Sequence, residues 1–378
     1  MSDFKKTKIR FFINTLTGGG AEKVLIDLLN QLDPDKYDIS LLTIAGGVRE
    51  DSVPKHVKYK KLVKNEASFF GRLWKKILFR MPKKLFAKRY LKGEYDVEVS
   101  YLEGTCTRFL AAKKAEKSKK LAFVHCDVSV KPVLEAFYKN KEECLEEYKK
   151  FDNVCFVSKM ALEGFEKTYG KLDNSKVVYN VLDRQKALEK SLEKTDFEFK
   201  TKGLKIISVG RLTEPKGYDR LIEVASELEK EYDFELCILG DGEDKEKLEA
   251  LIKERNVRSV RLLGYHENPY SYMAKADLFV CSSHFEGYST TVSECLVLGV
   301  PVLTTDCAGM DELLDNGNLG IIVENSKQGI KDGLRAALQD KEIIEELKAL
   351  LAKSCTNSNE NKNLMEYENL FDINQKES

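Results

Sequence analysis

Short apolar runs alternate with helical patterns along this chain, and the alternation occurs twice. Apolar runs at 8–14, 39–44, 97–101, 121–125, 153–158 and 176–179 have helical patterns between most of them. A polar stretch follows, and the pattern restarts with runs at 205–209, 234–239, 260–263, 278–281, 301–304 and 320–323. Between these lie helical patterns at 218–229, 245–255, 269–274 and 290–298. Strands separated by helices argue for parallel pairing. Runs that are apolar throughout fit sheets covered on both faces. The predicted class is therefore α/β, with two Rossmann-like parallel-sheet domains facing across a cleft and ligands at the carboxyl ends of the strands. The expected boundaries are 1–185 for the first domain, 186–203 for a Lys- and Glu-rich linker, and 204–356 for the second domain. The tail 357–378 carries Leu364, Tyr367, Leu370 and Phe371 at helical spacing and is expected to pack back on the first domain.

Composition narrows the function classes. The chain has 378 residues, 42% of them hydrophobic and 33% charged, as in a globular protein of two ordinary domains. No window of about 18 apolar residues predicts a membrane span, and the start of the chain lacks a signal-peptide core. Nine Cys without metal-like spacing read as reduced thiols of a cytoplasmic protein, with Cys155 and Cys237 in strands. The net charge of zero conceals a split: residues 1–185 hold 37 Lys/Arg against 25 Asp/Glu, a net of +12, and the remainder carries −12. Such asymmetry points to a polyanionic partner for the first half.

The segment 277–299 bears most on function. An apolar strand leads to a loop with Glu286, then Ser289-Thr290-Thr291, then a helix with Glu294 that stops at Gly299. A helix start offers free N–H groups to an anion. A carboxylate beside it repels phosphate and suits sugar hydroxyls instead. Phosphate and polyol recognised side by side suggest a nucleotide sugar. A glycosidase pair would need carboxyls about 5–9.5 Å apart, whereas eight helical residues span roughly 12 Å. Elsewhere, Gly210-Arg211 and Lys216-Gly217 follow the first strand of the second domain. There Arg can grip phosphate through two hydrogen bonds and Lys can add a mobile charge. Gly18-Gly19-Gly20 follows the first strand of the chain and lacks the remainder of a dinucleotide or P-loop fingerprint.

These segments resemble the Glu-x7-Glu signature and the accompanying Gly-Arg…Lys-Gly pattern of the retaining glycosyltransferases of family 4, which have the GT-B fold. The likeness covers nearly the whole chain. It implies that Glu286 contacts the transferred sugar, Glu294 the nucleotide ribose, and Arg211 and Lys216 the donor pyrophosphate. Ser289, Thr290 and Thr291 would offer helix-start N–H groups. The resemblance also implies that His125, in His125-Cys126-Asp127, touches the donor sugar. Gly19 and Gly20 would form the family's glycine loop, and Gly210, Gly240, Gly242 and Tyr265 would surround the nucleotide. Glu103 and Gly104 form a candidate acceptor-side loop, and Asn180 matches a family Asn at the domain junction. His56, His266 and His284 read as structural. Many relatives carry a Gly-Leu-Pro-like centre where this chain has Tyr288-Ser289-Thr290-Thr291, a variant similar to enzymes that build bacterial surface polysaccharides such as capsule.

The expected activity is retaining transfer of a hexosyl or N-acetylhexosaminyl group from a nucleotide diphosphate sugar, UDP before GDP, to a hydroxyl of a lipid-linked saccharide. No metal and no further cofactor are expected, because fixed cations and helix N–H groups stabilise the departing diphosphate. Residues 71–92 hold nine Lys/Arg and no Asp or Glu. Apolar residues recur at Phe70, Leu73, Trp74, Ile77, Leu78, Met81 and Leu85, with Pro82 splitting the stretch into two helices. Trp74, Lys75, Lys76, Arg80, Lys83, Lys84, Lys88 and Arg89 are expected to contact an anionic membrane surface, the inner face of the plasma membrane. The competing reading is a core-facing helix with a solvated basic side. No RNA motif accompanies the charge, so nucleic acid is not an expected partner. Alternatives for the whole chain are a catalytically silent scaffold subunit and a sugar-nucleotide epimerase. Oligomeric state is not legible.

Overall fold

The computed structural model describes residues 5–114, 117–130, 132–357 and 360–373. It divides into two units. The first holds the chain through Val181 and the tail helix, and the second begins at Leu182 and ends with the helix Lys341–Asn357. In the first unit seven strands pair in parallel: β1 (Thr7–Ile13), β2 (Tyr37–Thr43), β3 (Lys58–Lys61), β4 (Val97–Ser100), β5 (Lys119–Val124), β6 (Asn153–Phe156) and β7 (Ser175–Val177). Their order is β3-β2-β1-β4-β5-β6-β7. Successive side chains of a strand point to opposite faces. Thus Ile9, Phe11 and Ile13 of β1 join one apolar cluster, while Phe12 joins the cluster on the other face.

The second unit repeats the scheme with β8 (Leu204–Val209), β9 (Phe234–Leu239), β10 (Val260–Gly264), β11 (Leu278–Cys281), β12 (Val302–Thr305) and β13 (Ile321–Val323). All pairs are parallel, in the order β10-β9-β8-β11-β12-β13. In both sheets the order reverses beside the first strand, between β1 and β4 and between β8 and β11. Crevices for ligands open at such reversals.

Two expectations need correction. The strand β3 is absent from the sequence prediction because its residues, Lys-Tyr-Lys-Lys, have no apolar run. As an edge strand it needs only one buried side, and its lysines blunt the free edge. The stretch 186–203 is not a free tether. Its first third belongs to the helix Arg184–Ser191, capped by Asp183, whose Oδ1 accepts from Lys186 N–H at 3.0 Å. Ala187 of that helix is fully buried in the core of the second unit. One small buried residue among Lys and Glu leaves almost no periodic signal. The chain's Asp33-Pro34-Asp35 triplet forms the turn before β2, with Asp35 N–H donating to Asp33 Oδ1 at 2.8 Å.

The tail returns to the first unit as the helix Glu360–Phe371. Tyr367 stacks on Phe123 with ring centroids 5.4 Å apart, and Phe371 meets Phe11 edge-on at 5.8 Å. Asn363 Nδ2 donates to Asn180 O at 3.2 Å. Residues 358, 359 and 374–378 of the predicted tail lie outside the described residues. Because Phe371 is buried among rings of β1 and β2, Phe371→Ala should destabilise the first unit by about 3–5 kcal/mol. Denaturant unfolding of the full chain, followed by calorimetry to separate the two units, checks this. An unchanged first-unit transition would contradict the docking of the tail.

Candidate active site

The β8–β11 crevice is built from two turns. One runs from Gly210 to Gly217 after β8, and the other from Ser282 to Ser289 after β11. Ser282 Oγ donates to Lys216 O at 2.9 Å, and His284 N–H donates to Pro215 O at 2.8 Å. Gly217 permits this approach: its φ is +61°, and a Cβ there would collide with Ser282 O. The stitched turns place Lys216 Nζ 2.6 Å from Glu286 Oε1. Ser283 Oγ donates to the same oxygen at 2.6 Å. Burial alone would lower the Lys216 pKa, but Glu286 beside it reverses the effect and raises it above the ordinary 10.5. The ammonium is therefore charged throughout the physiological range. Burial also raises the Tyr218 phenol, which lies under Gly210 as a neutral hydroxyl.

Ser208, Lys216, Tyr218, Glu286, Ser289 and Thr291 line what remains of the cleft, a cavity of about 10 Å³. That is room for roughly one water. The helix Thr290–Leu298 begins beside the cavity. Ser289 caps this helix by accepting from Val292 N–H at 3.4 Å, and Gly299 ends it with φ +69°.

Other predicted residues lie around this centre. Arg211, the second residue after β8, is exposed. Gly240 has φ +153°, and a Cβ there would run into Gly210 O, so the ends of β8 and β9 close tightly only with glycine. Gly242 abuts the Leu212 backbone in the same way, and Tyr265 stands exposed just beyond β10. Glu294 lies deeper than Glu286. It is 2% exposed, accepts from Tyr270 O–H at 3.3 Å, and does not line the cleft with Glu286. Thr290 is half-buried at the helix start.

In the first unit, the β1–β4 reversal carries the glycine loop. Gly18 has φ +98°, and Gly19 precedes the helix Gly20–Gln31 without a side-chain cap. Glu103 holds two loops together: Oε2 accepts from His125 N–H at 3.0 Å and Oε1 from the Cys126 thiol at 3.2 Å. Gly104, with φ +83°, lies where a Cβ would strike the Phe137 ring. Burial lowers the His125 pKa below the ordinary 6.5, with Glu103 opposing, so the imidazole is neutral at neutral pH. Its Nε2 is buried and has no hydrogen-bond partner among the described residues. A neutral ring with an open nitrogen suits a hydroxyl ligand. Among the described residues, no group of three His, Cys, Asp or Glu is placed to hold a metal ion.

The basic segment forms two helices, Phe69–Arg80 and Lys83–Tyr90, broken at Pro82. Only Leu78, Phe86 and Ala87 of these helices are buried in the core. Phe69, Phe70, Leu73, Trp74, Ile77 and Leu85 are exposed, Phe70 by 79%. The predicted apolar stripe is thus mostly not the core face. Lys76, Arg80, Lys84, Lys88 and Arg89 are exposed, while Lys75 pairs with Glu66 at 3.0 Å and Lys83 with Glu147 at 3.0 Å. No helix among the described residues is long and apolar enough to cross a membrane.

Residues 189–354 match the family model of glycosyl transferases group 1. The second unit is a glycosyl transferases group 1 domain. The chain is 29% identical over 343 residues to a Campylobacter jejuni N-acetylgalactosamine-N,N'-diacetylbacillosaminyl-diphospho-undecaprenol 4-alpha-N-acetylgalactosaminyltransferase, covering 89% of this chain and 91% of that protein. It is 31% identical over 180 residues to the Escherichia coli O-antigen biosynthesis glycosyltransferase WclY, covering 46% of this chain and 49% of that one. The crystal structure of Anabaena Alr3699/HepE in complex with UDP and glucose superposes with a TM-score of 0.74 at 18% identity, covering 96% of this chain and 98% of that one. WaaG, a glycosyltransferase involved in lipopolysaccharide biosynthesis, superposes at 0.70 with 16% identity, covering 96% and 99%. The fold shared with these structures is GT-B, two Rossmann-like parallel-sheet domains.

Sequence reasoning had grouped Lys216, Glu286, Ser289 and Thr291, and the fold brings those four together. It missed Ser283, Tyr218 and Arg220, which read as ordinary loop and helix residues. Removing the Glu286 charge by Glu286→Gln should leave burial at Lys216 opposed only by the weaker Cys281 and Tyr218, so its ammonium should titrate lower than in the wild type. NMR of labelled lysine side chains reads this directly. A titration unchanged from the wild type would show that Glu286 is not the dominant partner.

Proposed function

We propose that this chain is a retaining glycosyltransferase. It moves a hexosyl or N-acetylhexosaminyl group from a UDP-sugar to a hydroxyl of a lipid-linked saccharide during bacterial surface-polysaccharide synthesis. The observation that carries the reading is the charged Lys216 held on Glu286 in the β8–β11 crevice. Supporting it are the C. jejuni relative, whose name describes transfer to a diphospho-undecaprenol-linked saccharide, and the likeness to a structure holding UDP and glucose.

In this mechanism the donor diphosphate takes Lys216 from Glu286. Arg211 adds a second cation from the end of β8. Glu286, released from the ammonium, accepts hydrogen bonds from the sugar hydroxyls. As the sugar–phosphate bond breaks, charge grows on the diphosphate. Lys216, Arg211 and the N–H groups at the start of the helix Thr290–Leu298 stabilise it without a metal ion. His125, neutral and with Nε2 open, receives a sugar hydroxyl, and Glu103 and Gly104 shape the acceptor side. The acceptor hydroxyl attacks on the face the diphosphate leaves, with the leaving phosphate taking its proton, which keeps the anomeric configuration. Glu294, whose Oε1 accepts from Tyr270 O–H, contacts the nucleotide ribose.

Arg211→Ala and Lys216→Ala should each lower kcat by about 10²–10³-fold, and the double variant should lose UDP binding. Turnover of a UDP-sugar panel with calorimetric UDP binding measures both. Full activity in the double variant would refute the electrostatic role, and loss of wild-type activity in EDTA would refute metal independence.

The same reading places the enzyme on the cytoplasmic leaflet. The exposed face of Phe69, Phe70, Leu73, Trp74 and Ile77 enters the lipid interface while the exposed cations meet anionic headgroups. Each cation contributes about 1 kcal/mol before screening. Vesicles rich in phosphatidylglycerol should shift Trp74 emission to the blue, and high salt or a Phe70→Ser, Leu73→Ser variant should weaken the effect. Equal behaviour with neutral vesicles would rule out the anionic surface.

A further inference from the structure

We propose that Arg220, on the helix Tyr218–Leu228, is a positioning residue: its buried guanidinium locks the turn after β11 and so sets where the Glu286 carboxylate stands against Lys216. The kinetic consequence rests on the glycosyl-transfer reading, but the positioning itself does not.

The argument begins where β11 ends. Past Cys281 the chain leaves the sheet, and the carbonyls of Ser282, Ser283 and His284 lose the ladder that would have satisfied them. Buried carbonyls need donors from somewhere. Arg220 supplies most of them. Its Nε and Nη2 donate to Ser282 O at 3.1 and 2.8 Å, and Nη2 also donates to Ser283 O at 2.8 Å. Nη2 further meets Asn325 Oδ1 at 2.7 Å, and Asn325 Nδ2 donates to His284 O at 2.7 Å. Ser283 O also receives Thr305 Oγ1 at 2.6 Å and the Cys307 thiol at 3.1 Å. Three successive carbonyls are thereby pinned from β12, from beyond β13 and from the helix Tyr218–Leu228.

This pinning bears on the site because the pinned residues are those that hold the ion pair. Ser283 Oγ donates to Glu286, Ser282 Oγ to Lys216 O, and His284 N–H to Pro215 O. If Ser282 and Ser283 rotate, Glu286 and Lys216 both lose their supports. An arginine suits the task because its planar fork spans two neighbouring carbonyls at once, whereas a lysine would meet them as a single mobile point. Arg220 is almost wholly buried and is absent from the cleft lining, so its effect on a ligand runs through the turn.

The test uses the full chain with Arg220→Ala, Arg220→Lys and Asn325→Ala, the last at an exposed side chain that folding tolerates. Hydrogen exchange should accelerate in 282–288 in all three variants while the remainder of the second unit keeps its protection. With a UDP-sugar, kcat should fall by about 10²-fold in Arg220→Ala, a larger change than in KM or UDP affinity. Arg220→Lys should not restore kcat, and added guanidinium should restore part of it in Arg220→Ala. Unchanged exchange in 282–288 overturns the proposal. So does loss of protection spread evenly over the second unit in both Arg220→Ala and Asn325→Ala, which would mark a general folding role. If exchange changes locally but the wild type turns over no nucleotide sugar, the functional reading fails and the positioning role stands.

Discussion

The reversal of strand order between β8 and β11 is the constraint on which the candidate site depends. Those two strands are far apart in sequence and adjacent in the sheet. Their crossovers leave in opposite directions, so no helix covers the gap at their carboxyl ends. Two turns must then face each other there with their backbone groups unpaired. Gly217, Ser282 and His284 resolve the problem by joining turn to turn. The Lys216–Glu286 pair is a product of that joining, not an isolated attraction between two surface charges.

The ion pair also bears on which ligand the crevice favours. An ammonium and a carboxylate, both largely sheltered, would each be costly to bury alone. Together they satisfy each other. A ligand that carries both a phosphate and hydroxyls can replace each partner with a group of matching chemistry. A ligand with only one of these would strand the other half. The arrangement thus favours a molecule bearing an anion and a polyol side by side, which agrees with a glycosyl transferases group 1 domain.

The first unit follows a different logic. Glu103 spends its carboxylate on the His125 backbone and the Cys126 thiol, and it fixes the loop after β5. That leaves a neutral imidazole with one open nitrogen. In the same unit, the helix Phe69–Arg80 turns more apolar surface outward than inward. Only Leu78 is fully buried, whereas a helix serving the core alone would bury its whole stripe. Exposed Phe and Trp among cations set this helix apart from ordinary surface.

Much of this was legible beforehand. Twelve of the thirteen strands were expected as apolar runs within two residues of where they lie. Only β3 was unseen, because an edge strand of lysines carries no burial signal. The helix Thr290–Leu298 was read with its stop at Gly299, since a C-terminal cap is local chemistry. So were the break at Pro82 and the aromatic spacing of the tail. The spacing of Glu286 and Glu294 was legible too, but their fates were not: one lies in the cleft and the other is buried against Tyr270. Local pattern determined the elements, their parallel pairing and the residue types near each strand end, because periodicity and capping act over a few residues. Only the tertiary structure decided that Lys216 meets Glu286, that Arg220 holds the turn between them in place, and that Ala187 draws a polar stretch into the core. Those contacts join segments far apart in the chain, and no local preference encodes which distant carbonyl a buried guanidinium will find.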